Sequence, residues 1–545
     1  MVLRSTCAAV LAACLTAGAR PAAGESLELW ADGRPACRLV LPTGDARTAR
    51  LARATLNRYL GRSFGIEWPV AAEPSEPGTY VLCGAPENHP WIARVLGPQV
   101  AGEAWDLGDE GFRLRTAEHG GSRFLIVQGR TPRAVKHGCQ ELVFYRLRAT
   151  ARRGWIDLPL DVAMAPAMAY RGCYMLPCWS AHDSLDSWRR ALLFNSELTL
   201  NRNWFWLDGF PVAGHTGEYA GTALASDRSV RELIDLVRAE DMKFLIGGGW
   251  FNWHHEKAVG KDYARGRDYY LAYLDAFGDF DGFYIEPTGE GAETAGWEPE
   301  CDMLIELIRT VLDRRPEMEF AVAIGRFNNP EYLRRMSRLD PRRVFWWWCW
   351  GDPLRDRALD LYPSVLRWHI IAPMQDYHGS TKAPEPAERV LAGIVTSYDP
   401  GQGFGNPWEG WGKLGVDHRR DFDPCDVPYF AHQYLYRERC WRPELAEGDF
   451  VARLQARLFD ADAPPEAAAR YWTLSQLTLR ANVGKPPTPD DLTPLREFLD
   501  AAAGRPFTLR TMDTLQRMDK ALRRLGELAR PQGSAPSGGT TAPAG

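Results

Sequence analysis

Past its first two dozen residues the chain has no stretch long and apolar enough to span a bilayer, which excludes a transmembrane helix. It also lacks a basic stripe and an acidic tail. The charges balance to −5 over 545 residues, so nucleic acid is not an expected partner. Eleven cysteines are scattered without a ligand pattern, and Cys173 with Cys178 lacks the spacing of a zinc half-site. His254 and His255 have no third histidine or carboxylate at matching spacing, so no metal is expected. No Gly-rich dinucleotide loop follows any strand pattern, and no cofactor is expected either.

Tryptophan, by contrast, is abundant at 21 residues. A buried indole N–H needs a partner, which makes this load costly to place in a core, whereas exposed rings can stack on sugars. The N-terminus reads as an export signal: Arg4 supplies the positive end, Cys7 to Ala17 the apolar run, and Ala22-Ala23-Gly24 a small-residue cleavage site. Leu11-Ala12-Ala13-Cys14 also reads as a lipoprotein box, which would lipidate Cys14. The expected location is therefore periplasmic, extracellular or lipid-anchored at the cell surface. Without Cys7 and Cys14 nine cysteines remain, an odd count, so at least one is free or paired between chains. Most are expected as buried thiols, with a structural disulfide or two left open in an exported protein.

This length suggests roughly two to four domains. After a signal peptide over 1–24, residues 25–165 read as a small α/β accessory domain. Its strands are expected at Arg38–Leu41, Tyr80–Cys83, Gly111–Arg115 and Phe124–Val127, and its helices over Ala46–Leu60 and Pro132–Arg146. Over 166–444 strands alternate with helices. The strands are Tyr170–Met175, Asn203–Leu207, Phe244–Gly248, Gly282–Ile285, Phe320–Ile324, Val344–Trp350, Leu366–Ala372 and Leu391–Thr396. Helices lie between most of them, as at Val230–Ala239, Cys301–Arg314 and Pro330–Arg338. The fold class is α/β, a (β/α)8 TIM-type barrel; a doubly wound open sheet is the rival, and the count of eight favours closure. A helical region fills 445–530, with helices at Phe450–Leu458, Pro465–Asn482 and Met512–Leu528. The Gly/Ser/Thr/Ala/Pro-rich tail over 531–545 is expected to be disordered.

Active sites of such barrels are built at the C-terminal ends of the strands, and polar and aromatic residues gather there in this sequence. Trp250, Trp253 and His254 follow the third strand, Glu286 and Glu290 the fourth, and Arg326 and Asn328 the fifth. The sixth brings Trp348, Trp350 and Asp352, the seventh Gln375, Asp376 and His378, and the eighth Trp408, Glu409 and Trp411. Glycosidic bond cleavage needs one carboxyl group to protonate the leaving oxygen and a second to activate water or attack. Glu290 lies between Gly289 and Gly291, which let a sugar approach closely, and is the first choice for the acid; Glu286 is the second. Two such carboxylates could also drive each other's pKa apart. Asp352 is the candidate base, with a helix N-cap before Pro353 as its alternative, and Asp376 could share the role. Within Trp346–Trp350, alternation puts Trp348 and Trp350 on one face and Trp347 on the other, so half of that run belongs to the core. The other aromatic and polar residues named are expected to hold a carbohydrate.

The layout resembles glycoside hydrolases of the α-glucuronidase family (family 67) and, more distantly, of the β-N-acetylhexosaminidase family (family 20). Both carry a small α/β domain ahead of the barrel. The run from Gly129 to Gly138 with Glu141-Leu142 is similar to the end of that domain, where a Gly-rich turn leads into a helix that packs on the barrel. Asp281-Gly282-Phe283 through Gly289-Glu290-Gly291 resembles the α-glucuronidase stretch ending in Ser-Glu-Gly, which implies that Glu290 is the general acid. Gly351-Asp352 is similar to the place of that family's Asp base. Leu391–Asp399, Pro407–Trp411 and Tyr429–Trp441 resemble its last strand and closing helix. The chain departs from the pattern at the seventh strand, where Trp368-His369-Ile370-Ile371 stands in place of a second base carboxylate and only Asp376 is near. It also lacks the adjacent Asp-Glu pair of hexosaminidases at the fourth strand. The resemblance implies an exported, α-glucuronidase-like glycoside hydrolase acting on a poly- or oligosaccharide by carboxylate acid/base catalysis. Carboxyl groups ~6.5–9.5 Å apart would invert and groups ~5 Å apart would retain. A β-N-acetylhexosaminidase-like enzyme, or a non-catalytic carbohydrate-binding protein on a hydrolase fold, is the alternative.

Overall fold

The computed structural model describes residues 25–97, 106–175, 185–206, 227–249, 263–286, 297–323, 330–347, 365–370, 393–397, 430–482 and 486–529. The export signal, the lipid box at Cys14 and the 531–545 tail lie outside the described residues.

The N-terminal part begins with β1 (Ser26–Ala31), β2 (Arg34–Pro35), β3 (Arg38–Val40), α1 (Ala46–Phe64), β4 (Val70–Ala71), β5 (Thr79–Gly84) and α2 (Pro90–Leu96). It continues with β6 (Phe112–His119), β7 (Ser122–Gly129), α3 (Pro132–Glu141), β8 (Leu147–Ala149), β9 (Arg153–Asp157) and β10 (Asp161–Met164). The strands form two sheets, β2-β1-β9-β8 and β10-β6-β7-β5-β3-β4. Local chemistry sets the helices. Asp45 caps α1 by accepting from the Thr48 amide at 2.9 Å, and Gly65 stops it with φ 67°, a left-handed conformation that glycine adopts freely. Thr131 caps α3, with Pro132 in its first turn. A Cβ on Gly138 would lie 2.6 Å from Val127 Cγ1, so this glycine lets α3 settle directly on β7.

The barrel strands are β11 (Tyr170–Met175), β12 (Arg202–Trp206), β13 (Lys243–Gly249), β14 (Gly282–Glu286), β15 (Glu319–Ala323), β16 (Val344–Trp347), β17 (Val365–Ile370) and β18 (Gly393–Ser397). Each pairs in parallel with the next, and β18 pairs with β11, so the sheet closes and the open-sheet rival falls. Parallel strands buried on both faces read as apolar runs, and each of the eight lies where the sequence puts it, to within a few residues at its ends. The described connections carry α4 (Leu185–Glu197), α5 (Asp227–Ala239), α6 (Tyr263–Phe277), α7 (Trp297–Arg314) and α8 (Pro330–Met336). After the barrel come α9 (Phe430–Trp441), α10 (Glu447–Leu458), α11 (Ala467–Asn482), α12 (Pro489–Ala502) and α13 (Leu509–Leu528). No helix among the described residues is long and apolar enough to cross a membrane.

One buried apolar cluster runs through all of these parts, from Leu27 to Leu525. Cys37, Cys83, Cys139, Cys173, Cys301 and Cys440 are buried free thiols within it. Trp30, Trp68, Trp188, Trp204, Trp346 and Trp441 are buried as well, so much of the tryptophan goes to the core despite its cost. Polar groups also cross between the parts. The buried Lys136 of α3 donates to the Glu240 carbonyl at 2.5 Å, and Gln140 donates to the Ser196 carbonyl at 2.8 Å. Glu110 accepts from Arg133 and Asn201, both at 2.9 Å, and pairs with Arg171. Glu141 receives Arg453 at 2.8 Å, and Glu197 receives Arg457 at 2.6 Å. Residues 171, 201 and 240 sit at or just before the starts of barrel strands, so the N-terminal layer is docked on the end away from the strands' C-termini.

Candidate active site

Parallel closure places the C-terminal ends of all eight strands on one rim. The interior beneath that rim is built in tiers. At the strand starts, Arg202 donates to Glu319 through Nη2 at 3.0 Å and Nε at 3.1 Å, and Lys243 also donates to Glu319. Burial would raise the Glu319 carboxyl, but Arg202 and then Lys243 outweigh it and hold its pKa down at about 2. This ionic plug occupies the N-terminal end of the barrel.

Above it lies an aromatic tier. The Arg202 guanidinium sits 4.6 Å from the centre of the Tyr170 ring, and Trp204 Nε1 donates to the Tyr170 hydroxyl at 2.6 Å. Trp204 stacks on Tyr284 with centroids 5.4 Å apart and planes 6° from parallel. The Tyr174 and Tyr284 hydroxyls share a hydrogen bond of 2.7 Å. Such rings fit because the opposing backbone comes close: a Cβ on Gly247 would lie 1.6 Å from the Tyr284 carbonyl oxygen, and one on Gly282 2.0 Å from that of Glu319. Gly247→Ala is therefore expected to destabilise the chain by about 1–3 kcal/mol, measured by urea unfolding; an unchanged midpoint would contradict the close approach.

This tier was not anticipated from the sequence. Its signal was there in part, in aromatic residues at a step of four along the predicted first strand: Tyr170 with Tyr174.

Glu286 is the last residue of β14, paired in register with Gly249 of β13, and so its backbone stands on the rim. The other expected site residues lie outside the described residues: Glu290, Asp352 and Asp376, with Trp250, Trp253, His254, Arg326, Asn328, Trp348, Trp350, Gln375, His378, Trp408, Glu409 and Trp411. In sequence, each follows one of the rim ends just described. Of the Trp346–Trp350 run the side chain of Trp346 is described, and the expected division of Trp347 from Trp348 and Trp350 lies outside the described side chains. Trp346 is buried against Tyr332 of α8, with centroids 6.3 Å apart, while its neighbour Phe345 meets Tyr170 inside the barrel at 4.9 Å.

No protein-family model and no curated protein matches the sequence. Solved structures do match the fold. An exo-β-N-acetylglucosaminidase of glycoside hydrolase family 20 from Vibrio harveyi, solved with N-acetylglucosamine, superposes with TM-score 0.51 at 13% identity, over 80% of this chain and 74% of that one. A family 20 chitobiase from Flavobacterium johnsoniae superposes with TM-score 0.51 at 10% identity, over 91% of this chain and 80% of that one. At these identities the likeness is one of fold.

Proposed function

We propose that the chain is a glycoside hydrolase of the β-N-acetylhexosaminidase type, with its active site on the C-terminal rim of the barrel. The observation that carries the reading is the coincidence of two things. The fold is shared with two family 20 enzymes, and β14 delivers Glu286 to the rim with Glu290 four residues on. Fold alone does not fix activity, so the carboxylates supply the chemical half of the argument. The α-glucuronidase reading has no such structural support, and the second sequence reading becomes the first.

In this proposal one of Glu286 and Glu290 protonates the leaving oxygen. Glu290 has glycines on both sides; Glu286 has the strand parity of Tyr284, which turns inward. Asp352, with Asp376, serves as base or orients the attacking group. Trp250, Trp253, His254, Arg326, Asn328, Gln375, His378, Trp408, Glu409 and Trp411 hold the sugar. Trp348 and Trp350, which follow the sixth strand in sequence, complete the aromatic set in this proposal. Export, with or without a lipid at Cys14, would bring the enzyme to polymeric glycans.

A panel of aryl glycosides tests the proposal. Hydrolysis of the β-N-acetylglucosaminide in preference to the α-glucuronide is expected. Preference for the glucuronide would restore the first sequence reading, and binding of sugars without turnover would leave a carbohydrate-binding protein.

A further inference from the structure

Cys83 and Cys139 are buried in the N-terminal layer with their sulfurs 3.9 Å apart, across 56 residues of chain. Cys83 lies in β5 and pairs in register with Val127 of β7. Cys139 lies on α3, directly after Gly138, whose missing side chain lets the helix press onto Val127. The same close approach that seats the helix thus brings the two thiols together.

We infer that Cys83 and Cys139 form a disulfide that staples α3 to β5 when the chain folds in an oxidising compartment. A disulfide has sulfurs about 2.0 Å apart, so the pair must close by roughly 2 Å, within reach of side-chain rotation and a small shift of the helix. The oxidant is a protein or small-molecule disulfide. One cysteine thiolate attacks it, forming a mixed disulfide and releasing one thiol. The second thiolate then attacks the mixed disulfide, forming the Cys83–Cys139 bond and releasing the other thiol. Two protons leave the cysteines, and two electrons pass to the oxidant. Burial pushes the Cys139 thiol well above its ordinary pKa, and exchange needs the thiolate and access. The bond is therefore made during folding, before the core closes.

The test uses the full chain, refolded from denaturant in a glutathione redox mixture. Free thiols are blocked with iodoacetamide, and the protein is digested without reduction and mapped by mass spectrometry. The expected result is the Cys83 peptide linked to the Cys139 peptide, two hydrogens lighter than the separate pair. Recovery of both cysteines alkylated from folded protein, or linkage of either to another cysteine, overturns the inference. A second readout is the thermal midpoint, expected to be about 5 °C higher in the oxidised than in the reduced protein. Cys83→Ser and Cys139→Ser should each abolish that difference; equal midpoints in the two redox states of the unsubstituted chain would also overturn it.

Discussion

Glu290→Gln is expected to lower kcat on an unactivated β-N-acetylglucosaminide by about 10²–10⁴-fold, the range that general acid catalysis supplies. The dependence on leaving group should identify the role. An aryl group that departs without protonation needs no acid, so the loss should shrink sharply on a nitrophenyl substrate. Glu286→Gln provides the comparison, because β14 ends on it and its backbone stands on the rim. If Glu290 is the acid, Glu286→Gln should raise KM or lower kcat without leaving-group dependence. The reverse pattern would transfer the role to Glu286. Equal turnover in both variants would remove the fourth strand from the chemistry.

The second large effect lies below the site. Glu319→Gln removes the counter-charge from Arg202 and Lys243 at the barrel's N-terminal end, and breaking a buried pair by deleting one partner costs on the order of 3 kcal/mol. The pH dependence follows from the sign of the shift. The Glu319 pKa is lowered from 4.5 to about 2, so its contribution is complete above about pH 4.5 and is lost as pH falls through 2. Glu141 and Glu240 are also buried, and their cationic neighbours overcome the cost of burial to hold them at about 2, so they act in the same window. The resistance of the original chain to urea should weaken steadily below pH 4.5. Its advantage over Glu319→Gln should be largest at neutral pH and narrow towards pH 2. A constant difference across that range would mean that the ionic plug contributes nothing.

The barrel was legible because its signal is local. A strand buried on both faces is a short apolar run, and a helix against it repeats every three or four residues. The same logic failed where pattern was weak. The sheet of β1, β2, β8 and β9 was not foreseen: its strands are short, and a bulge between Glu28 and Trp30 breaks the alternation of β1. The α12 helix was also missed behind Lys485-Pro486-Pro487, although Thr488 and Asp491 form a capping box that marks its start. Pairings between distant segments leave no local trace, and Glu141 with Arg453, 312 residues away, is one of them. The same holds for the tiers inside the barrel, because the sequence shows which residues alternate but not which face turns inward. Phe345 and Trp346 illustrate this: neighbours in one strand, one meets Tyr170 and the other Tyr332.

The C-terminal rim above Tyr174, Trp204 and Tyr284 is the proposed sugar site. A crystal structure of the chain soaked with N-acetylglucosamine tests it most directly. The sugar is expected in the barrel mouth, with Glu286 or Glu290 within hydrogen-bonding distance of its anomeric hydroxyl. An empty mouth with the sugar bound to the N-terminal layer or the C-terminal helices would contradict it.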